Sequence, residues 1–196
     1  MTRKILFSVV LLATISLTAQ EKKWSVEANY PISISDNEVR TDLPGIVDLG
    51  IKYRFLEIGF ARLGAGISAG VFHEDLDLNE LPGAFTTKRT NWLIQPRVFM
   101  EFKIPALEKF RPAIGLGYTV VRSKFDNEHF PIEIRPESRT DTDGGININV
   151  GISYDITKRI FIQAQYDYVR NNITRSDLPD INEDSMFLKF GAGFRF

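Results

Sequence analysis

The sequence contains few side chains that could act in catalysis. It has two histidines, His73 and His129, and no cysteine. A hydrolytic triad needs a nucleophile, a base and an acid within hydrogen-bond reach. Glu128 adjoins His129, but no serine stands at a short fixed spacing from either histidine. The absence of cysteine excludes thiol nucleophiles, disulfides and cysteine-bearing zinc sites. The sequence therefore predicts that the protein is not an enzyme and carries no cofactor.

Acidic residues that could bind a cation cluster in two predicted loops. Asp75, Asp77 and Asn79 are spaced like the first ligands of an EF-hand, but position six is Glu80 instead of glycine and position twelve is Thr86 instead of glutamate. No specific metal site is therefore predicted. Loose contact with divalent cations and simple solvation stay open as alternatives for these residues. The same holds for a second acidic group, formed by Asp177, Asp180, Glu183 and Asp184.

The charge balance argues against nucleic acid as a partner. The chain has 196 residues, with 24 Lys and Arg against 25 Asp and Glu, so its net charge is close to zero. Such a chain has no basic field that would attract phosphate backbones. Its length is that of a single domain.

The first twenty residues have the character of a secretory signal peptide. Arg3 and Lys4 precede an apolar run from Ile5 to Leu17, and small or polar residues follow it. The run is shorter than the roughly 20 residues of a membrane-spanning helix. We therefore expect residues 1–20 to be a cleaved signal peptide and residues 21–196 to be the mature domain, with an uncleaved anchor as the alternative.

Strict alternation of apolar and polar residues recurs through the rest of the chain. In every such segment the apolar phase contains no charge, amide or aliphatic hydroxyl, and the segments span residues 24–30, 47–55, 63–71, 92–102, 112–120, 146–154, 160–168 and 186–196. Successive side chains of a β-strand point to opposite faces. Each segment therefore has one apolar face and one face rich in polar residues and glycine, which predicts an all-β domain of eight strands.

Two closed architectures could use this pattern. A soluble lipocalin-like barrel would turn the apolar phase inward, whereas an outer-membrane barrel turns it toward lipid. The lumen of an eight-stranded barrel is just wide enough for side chains, and glycines in the polar phase suit such a crowded interior. Aromatic residues also gather at both segment ends, as in Trp24, Tyr53, Trp92 and Tyr118. We therefore predict an eight-stranded antiparallel up-and-down transmembrane β-barrel.

The connections between the segments alternate in length. Those at residues 56–60, 103–111 and 156–159 are short, whereas those at 32–46, 73–88, 122–144 and 170–185 are long and polar. Short periplasmic turns and long extracellular loops give this alternation. Pro96 lies in the middle of a predicted strand, where its missing N–H predicts a bulge.

The inward phase of the predicted barrel carries charges of both signs in near balance. Buried ions need partners, since an unpaired one costs several kcal/mol. We therefore expect a plugged lumen held by an ion-pair network, with Phe99, Phe161 and Phe187 filling the same space. The expected members of the network are Glu27, Asp48, Lys52, Arg54, Arg62, Arg97, Glu101, Asp155, Asp167, Lys189 and Arg195.

The C-terminal strand ends in alternating aromatic residues, with Phe190, Phe194 and the terminal Phe196 in one phase. This ending is similar to the signal that the barrel assembly machinery recognises in bacterial outer-membrane proteins. With the strand number and the connections, the whole mature chain resembles the small outer-membrane barrels of the OmpA/OmpX or OmpW type, the "outer membrane protein beta-barrel domain". The resemblance implies insertion by that machinery and a location in the outer membrane of a Gram-negative cell.

Two functional hypotheses follow. The first is a structural or interaction protein, a monomeric barrel with a closed lumen whose loops contact a surface ligand, a partner protein or lipopolysaccharide. The second is a small porin-like channel for hydrophobic or ionic solutes, as the OmpW-type resemblance implies. Conductance separates the two, because only a channel passes ions.

Overall fold

The computed structural model describes residues 22–34, 45–78, 85–126, 139–175 and 178–196. Eight antiparallel strands form one sheet that closes into a barrel, which confirms the predicted fold class. A short 3-10 helix, Pro105–Leu107, lies between the fourth and fifth strands. The strands are β1 Trp24–Ser33, β2 Gly45–Ile58, β3 Ala61–Leu78, β4 Phe85–Phe102, β5 Phe110–Asp126, β6 Arg139–Asp155, β7 Ile160–Arg175 and β8 Leu178–Arg195.

Pairing between β1 and β8 closes the barrel. Each strand pairs with its neighbour in sequence, and β1 pairs with β8 from Ser25 opposite Arg195 to Ser33 opposite Phe187. Beyond this ladder, the Trp24 N–H donates to the Phe196 carbonyl at 3.0 Å, and the Phe196 N–H donates back to Trp24 at 2.9 Å. Closure leaves no free strand edge along the ladder, which removes the usual site of edge-to-edge aggregation.

The two ends of the barrel differ. At the end where β1 begins and β8 stops, here called the turn rim, Gly59 and Phe60 alone connect β2 to β3. Gly59 has a φ of +54°, a left-handed conformation that glycine adopts without a steric penalty. The opposite end, here called the hairpin rim, is formed by the far ends of the long strand pairs.

The apolar phase of the strands faces outward and the polar phase faces the lumen. On β6 the outward residues Ile146, Ile148 and Val150 are each 44–60 % exposed. The alternate residues Asn147 and Asn149 are buried. This is the orientation predicted for a membrane barrel and the opposite of a lipocalin-like interior.

Aromatic pairs mark the turn rim. The rings of Trp24 and Tyr53 lie 4.5 Å apart between centroids, and those of Phe110 and Tyr154 lie 4.9 Å apart. Toward the hairpin rim, Trp92 is exposed on the outer face. Both ends of the apolar wall therefore carry the rings that favour an interface between water and hydrocarbon.

The strands extend further toward the hairpin rim than the alternation predicted. Strand β3 runs to Leu78 and β4 starts at Phe85, while β7 runs to Arg175 and β8 starts at Leu178. The predicted loops at 73–88 and 170–185 were therefore wrong over most of their length, and 122–144 was wrong at both ends. Backbone hydrogen bonds to neighbouring strands hold these extensions, and such bonds need no apolar face that a sequence pattern could reveal.

The bulge predicted at Pro96 was also wrong. The pairs Ile94–Val120 and Arg97–Gly117 keep the same register on both sides of the proline. A Cβ on Gly117 would lie 2.2 Å from the Pro96 carbonyl oxygen, so the glycine lets the two backbones approach closely there. Register shifts occur instead between Gly45 and Val47, Arg54 and Leu56, and Ile173 and Arg175.

Candidate functional site

Charged side chains from opposite walls meet at mid-height in the lumen. Lys189 Nζ on β8 lies 2.9 Å from Asp48 Oδ2 and 2.8 Å from Asp167 Oδ2. Arg97 on β4 reaches Asp167 on β7 at 3.2 Å, and Lys189 donates to Gln95 Oε1 on β4 at 2.6 Å. We call these five residues the central cluster. Its two cations and two carboxylates are buried and balance in charge, and its contacts cross the lumen because β4 is adjacent to neither β7 nor β8.

A second set of charges lies between the central cluster and the turn rim. Arg54 Nη2 donates to Glu101 Oε2 at 2.8 Å, Arg111 Nε donates to Asp155 Oδ2 at 2.7 Å, and Arg195 forms an ion pair with Asp155. Arg111 Nη1 lies 3.9 Å from Glu101 Oε1, which links the pairs into one series of alternating sign. We call these five residues the rim chain.

The structure places ten of the eleven predicted network residues in the lumen. Four belong to the central cluster, four belong to the rim chain, and Lys52 pairs with Glu27 at 2.9 Å. Arg62 lies apart from them and pairs with Glu57 at 2.9 Å, where both side chains are partly exposed. It is the second residue of β3, so it reaches water at the turn rim. Arg111 was not predicted as a member of the network, because the predicted segment of strict alternation at 112–120 begins one residue after it.

A layer of apolar side chains fills the lumen on the hairpin side of the central cluster. Phe72, Leu93, Val169 and Phe187 are buried against one another, with Val121 packed beside them. The rings of Phe72 and Phe187 lie 5.3 Å apart between centroids. Phe187 was predicted to point inward. Phe72 and Val169 were missed, since each is the first residue beyond a segment of strict alternation.

Two predicted luminal rings lie over glycines. Phe99 and Phe161 are buried, and they pair in register with Gly64 and Gly193. A Cβ on Gly193 would lie 2.2 Å from Phe161 Cζ, so only glycine leaves room for this ring. Phe161 in turn stacks against the Arg195 guanidinium, with Cζ 4.0 Å from the ring centroid.

This packing predicts the effect of adding one methyl group. Gly193→Ala should lower the free energy of unfolding by about 1–3 kcal/mol, the usual effect of overpacking. Phe161→Leu in the same chain should recover part of that loss, though the Val26 carbonyl oxygen would still lie 2.7 Å from the new Cβ. Gly151→Ala is the matched luminal control, because the nearest atoms to its new Cβ would be Gln165 Cγ at 3.1 Å and the Ala164 carbonyl oxygen at 3.2 Å, well outside the 2.2 Å contact at Gly193. Urea titration of the folded barrel measures all three variants. Equal effects of Gly193→Ala and Gly151→Ala would contradict the conclusion that the Phe161 ring needs a glycine at position 193.

The other candidates for chemistry do not form a site among the described residues. His73 is exposed on β3, and its Nδ1 lies 3.1 Å from Thr90 Oγ1. Outside the described residues lie His129, Glu128, Asn79, Glu80 and Asp177, as does the predicted signal peptide.

The two predicted acidic groups lie largely on strands, since Asp75 and Asp77 belong to β3 and Asp180, Glu183 and Asp184 belong to β8. The described part of the chain contains no group of three or more residues arranged to hold a metal ion. It also contains no helix long and apolar enough to cross a membrane.

The C-terminal aromatic residues lie on the outer wall at the seam of the barrel. Phe190 and Phe194 are exposed on β8, and Phe196 follows it with its ring 6.3 Å from that of Phe194 between centroids. Phe190 pairs in register with Tyr30, and Phe194 pairs with Val26. These residues therefore belong to the strand pair that closes last in chain order.

A closed barrel with an apolar outer wall and a charge-paired interior is the architecture of an outer-membrane barrel. The sequence matches the family described as "Outer membrane protein beta-barrel domain" over residues 5–196. The chain belongs to this family, and it is a transmembrane protein of the Gram-negative outer membrane. The turn rim is accordingly the periplasmic end, and the hairpin rim is the extracellular end. No curated protein matches the sequence.

Solved structures of similar fold are small outer-membrane proteins. The chain is similar to OprG from Pseudomonas aeruginosa, with a TM-score of 0.61 and 14% identity over 90% of this chain and 97% of that one. For Ail, the attachment invasion locus protein of Yersinia pestis, solved in complex with the heparin analogue sucrose octasulfate, the TM-score is 0.57 with 16% identity over 89% and 97%. For Neisserial surface protein A the TM-score is 0.52, with 17% identity over 88% of this chain and 96% of that one.

Proposed function

We propose that the protein is a closed, non-conducting barrel that displays extended hairpins outside the cell to a surface ligand, a partner protein or lipopolysaccharide. The central cluster is the observation that carries this proposal. Arg97 and Gln95 on β4 contact Asp167 and Lys189 from the opposite wall, so side chains bridge the full width of the lumen. A hydrated ion would have to break several charge-assisted hydrogen bonds to pass this level.

The apolar layer adds a second obstruction. Phe72, Leu93, Val169 and Phe187 contribute no hydrogen-bonding side chain to the lumen, and Val169 is fully buried. Apolar constrictions of this kind exclude water columns and therefore ions. Two barriers of different chemistry thus lie in series between the periplasmic and extracellular ends.

The long strand pairs support the display role. Strands β3 and β4 remain paired in register as far as Leu78 opposite Phe85, and β7 and β8 as far as Ile173 opposite Ile181. Continuous pairing makes these hairpins stiff extensions of the barrel wall. Binding on such a support requires little ordering of the backbone, which favours affinity. Ail, a protein of similar fold, is known in complex with a heparin analogue, which supports ligand contact as a role for this architecture.

The remaining assignments are part of the same proposal. The proposed role needs no catalytic group or cofactor. A signal peptide at residues 1–20 would direct export, and the aromatic ending Phe190, Phe194 and Phe196 would be bound by the barrel assembly machinery during insertion. The folded barrel would act as a monomer.

A channel is the second candidate, and one observation favours it. A small cavity of about 20 Å³ lies in the periplasmic half of the lumen between Glu27, Lys52, Phe99, Glu101 and Arg195. If the central cluster and the apolar layer could rearrange together, this space would become the vestibule of a pore.

Conductance in planar bilayers tests the proposal. The wild-type barrel should show no unitary current steps under voltage, because the luminal ion pairs and the apolar layer must both open before ions pass. Regular steps from the wild type would instead establish the channel. Removal of both obstructions in one chain is expected to produce measurable current. The changes are Phe72→Ala and Phe187→Ala in the apolar layer, and Gln95→Ala, Arg97→Ala and Asp167→Ala in the central cluster, which leave Lys189 paired with Asp48. This variant shows that the assay detects an opened barrel of the same size.

A further inference from the structure

Basic residues stand at the upper boundary of the apolar wall on one side of the barrel. On β5 the outward face runs Ile114, Leu116, Tyr118, Val120 and then Arg122 and Lys124. On the neighbouring β6 the outward face changes from Ile146 to Gly144, Thr142 and Thr140 at the same level. Arg122 and Lys124 are exposed and point toward the surrounding lipid leaflet rather than into the lumen.

The cross-strand partners of these two cations carry hydroxyls and an indole. In register, Lys124 stands between Thr90 on β4 and Thr140 on β6, and Arg122 stands between Trp92 and Thr142. Trp92 is 38% exposed on the outer wall and lies directly opposite Arg122 in register. Neither cation forms an ion pair with a described residue. Two cations, three hydroxyls and a ring at the water interface match a phosphorylated headgroup above an acyl chain.

Arg170, another outward cation near this level, differs in its surroundings. It stands in register opposite Asp184, which is exposed on β8. The carboxylate of Asp184 reduces the attraction of Arg170 for an anion. The combination of two adjacent cations with cross-strand hydroxyls therefore singles out the β4–β5–β6 face within the described residues.

We propose that Arg122 and Lys124, with Thr90, Thr140, Thr142 and Trp92, bind a phosphate group of a glycolipid in the outer leaflet. Arg122 supplies a planar fork of donors for the phosphate oxygens, Lys124 adds a second positive charge, and Trp92 packs against the first part of the acyl chains. The inference deepens the proposed contact with lipopolysaccharide and rests on it. It does not depend on closure of the lumen, so the conductance test and the test below fail independently.

Native mass spectrometry of the folded barrel in detergent micelles tests the site. The probes are diphosphoryl lipid A and the same lipid A after enzymatic removal of its phosphates. Two cations near a membrane surface predict a preference of about tenfold or more for the phosphorylated form. Arg122→Gln with Lys124→Gln should abolish this preference. Both side chains are exposed, so we expect the variant to fold, and heat-dependent migration on a gel verifies that it has.

The matched control removes the same charge from the opposite end. Lys158→Gln with Arg159→Gln changes two exposed basic residues at the periplasmic turn and should keep the full preference. Loss of the preference in this control would mean that net charge alone attracts lipid A, and would overturn the site. Retention of the preference in the Arg122 and Lys124 variant would overturn it equally. Displacement of lipid A by an equal concentration of inorganic phosphate would show a free-anion site in place of a lipid site.

Discussion

Lys189→Ala is expected to lower the free energy of unfolding of the barrel by about 3–5 kcal/mol, because it leaves the buried Asp48 carboxylate without its cation and Asp167 with Arg97 alone. Lys189 contacts both Asp48 and Asp167, and all three side chains are at most 2% exposed. Arg97→Ala should destabilise less, since Lys189 would still compensate Asp167. Urea titration of the barrel in lipid vesicles, followed by tryptophan fluorescence, measures both variants.

Two further variants isolate the cause of this loss. Adding Asp48→Asn to Lys189→Ala removes the buried carboxylate charge that the loss of Lys189 leaves unpaired. Arg97 still pairs with Asp167 in this double variant, so part of the stability should return. Lys103→Ala breaks an exposed pair with Glu57 and should change stability by less than about 1 kcal/mol. If Lys189→Ala cost no more than Lys103→Ala, water would have to reach the central cluster, and the closed lumen would be refuted.

Val150→Arg is expected to cost about 2–4 kcal/mol, because it places a charge in hydrocarbon near the middle of the bilayer. Val150 is 51% exposed on the outer wall of β6 and pairs in register with Ile114 and Tyr166. The expected loss is specific to lipid, since an arginine on a wall facing water would be solvated without penalty. Unfolding titrations in lipid vesicles give the value.

Thr142→Arg is the matched control for the lipid-facing charge. Thr142 lies on the same face of the same strand, eight residues nearer the extracellular end, beyond the last apolar outward residue Ile146. The expected change is about 0–1 kcal/mol, as for charges near the membrane interface. Equal losses for the two substitutions would mean that the position of Val150 within the bilayer is not what determines the cost.

The outer wall could be predicted residue by residue because a single physical rule governs it. Lipid accepts no charge or unpaired amide, and strands alternate with a period of two. Ile146, Ile148 and Val150 therefore had to share the outer face once a membrane barrel was inferred. The extracellular ends follow no such rule. Loop predictions failed there because pairing between backbones, which every residue can join, extends β3, β4, β7 and β8.

The sequence by itself determined which side of each strand meets lipid, how many strands there are, and that the interior charges nearly cancel. It could not determine which charges pair, because partners such as Arg97 and Asp167 are 70 positions apart and meet across the lumen. Only closure of β1 on β8 fixes the register around the whole ring, and that register decides the contacts. The tertiary structure therefore assigned Lys189 to two carboxylates, brought Arg111 into the rim chain, moved Arg62 to the turn rim and gathered Phe72 and Val169 into one apolar layer.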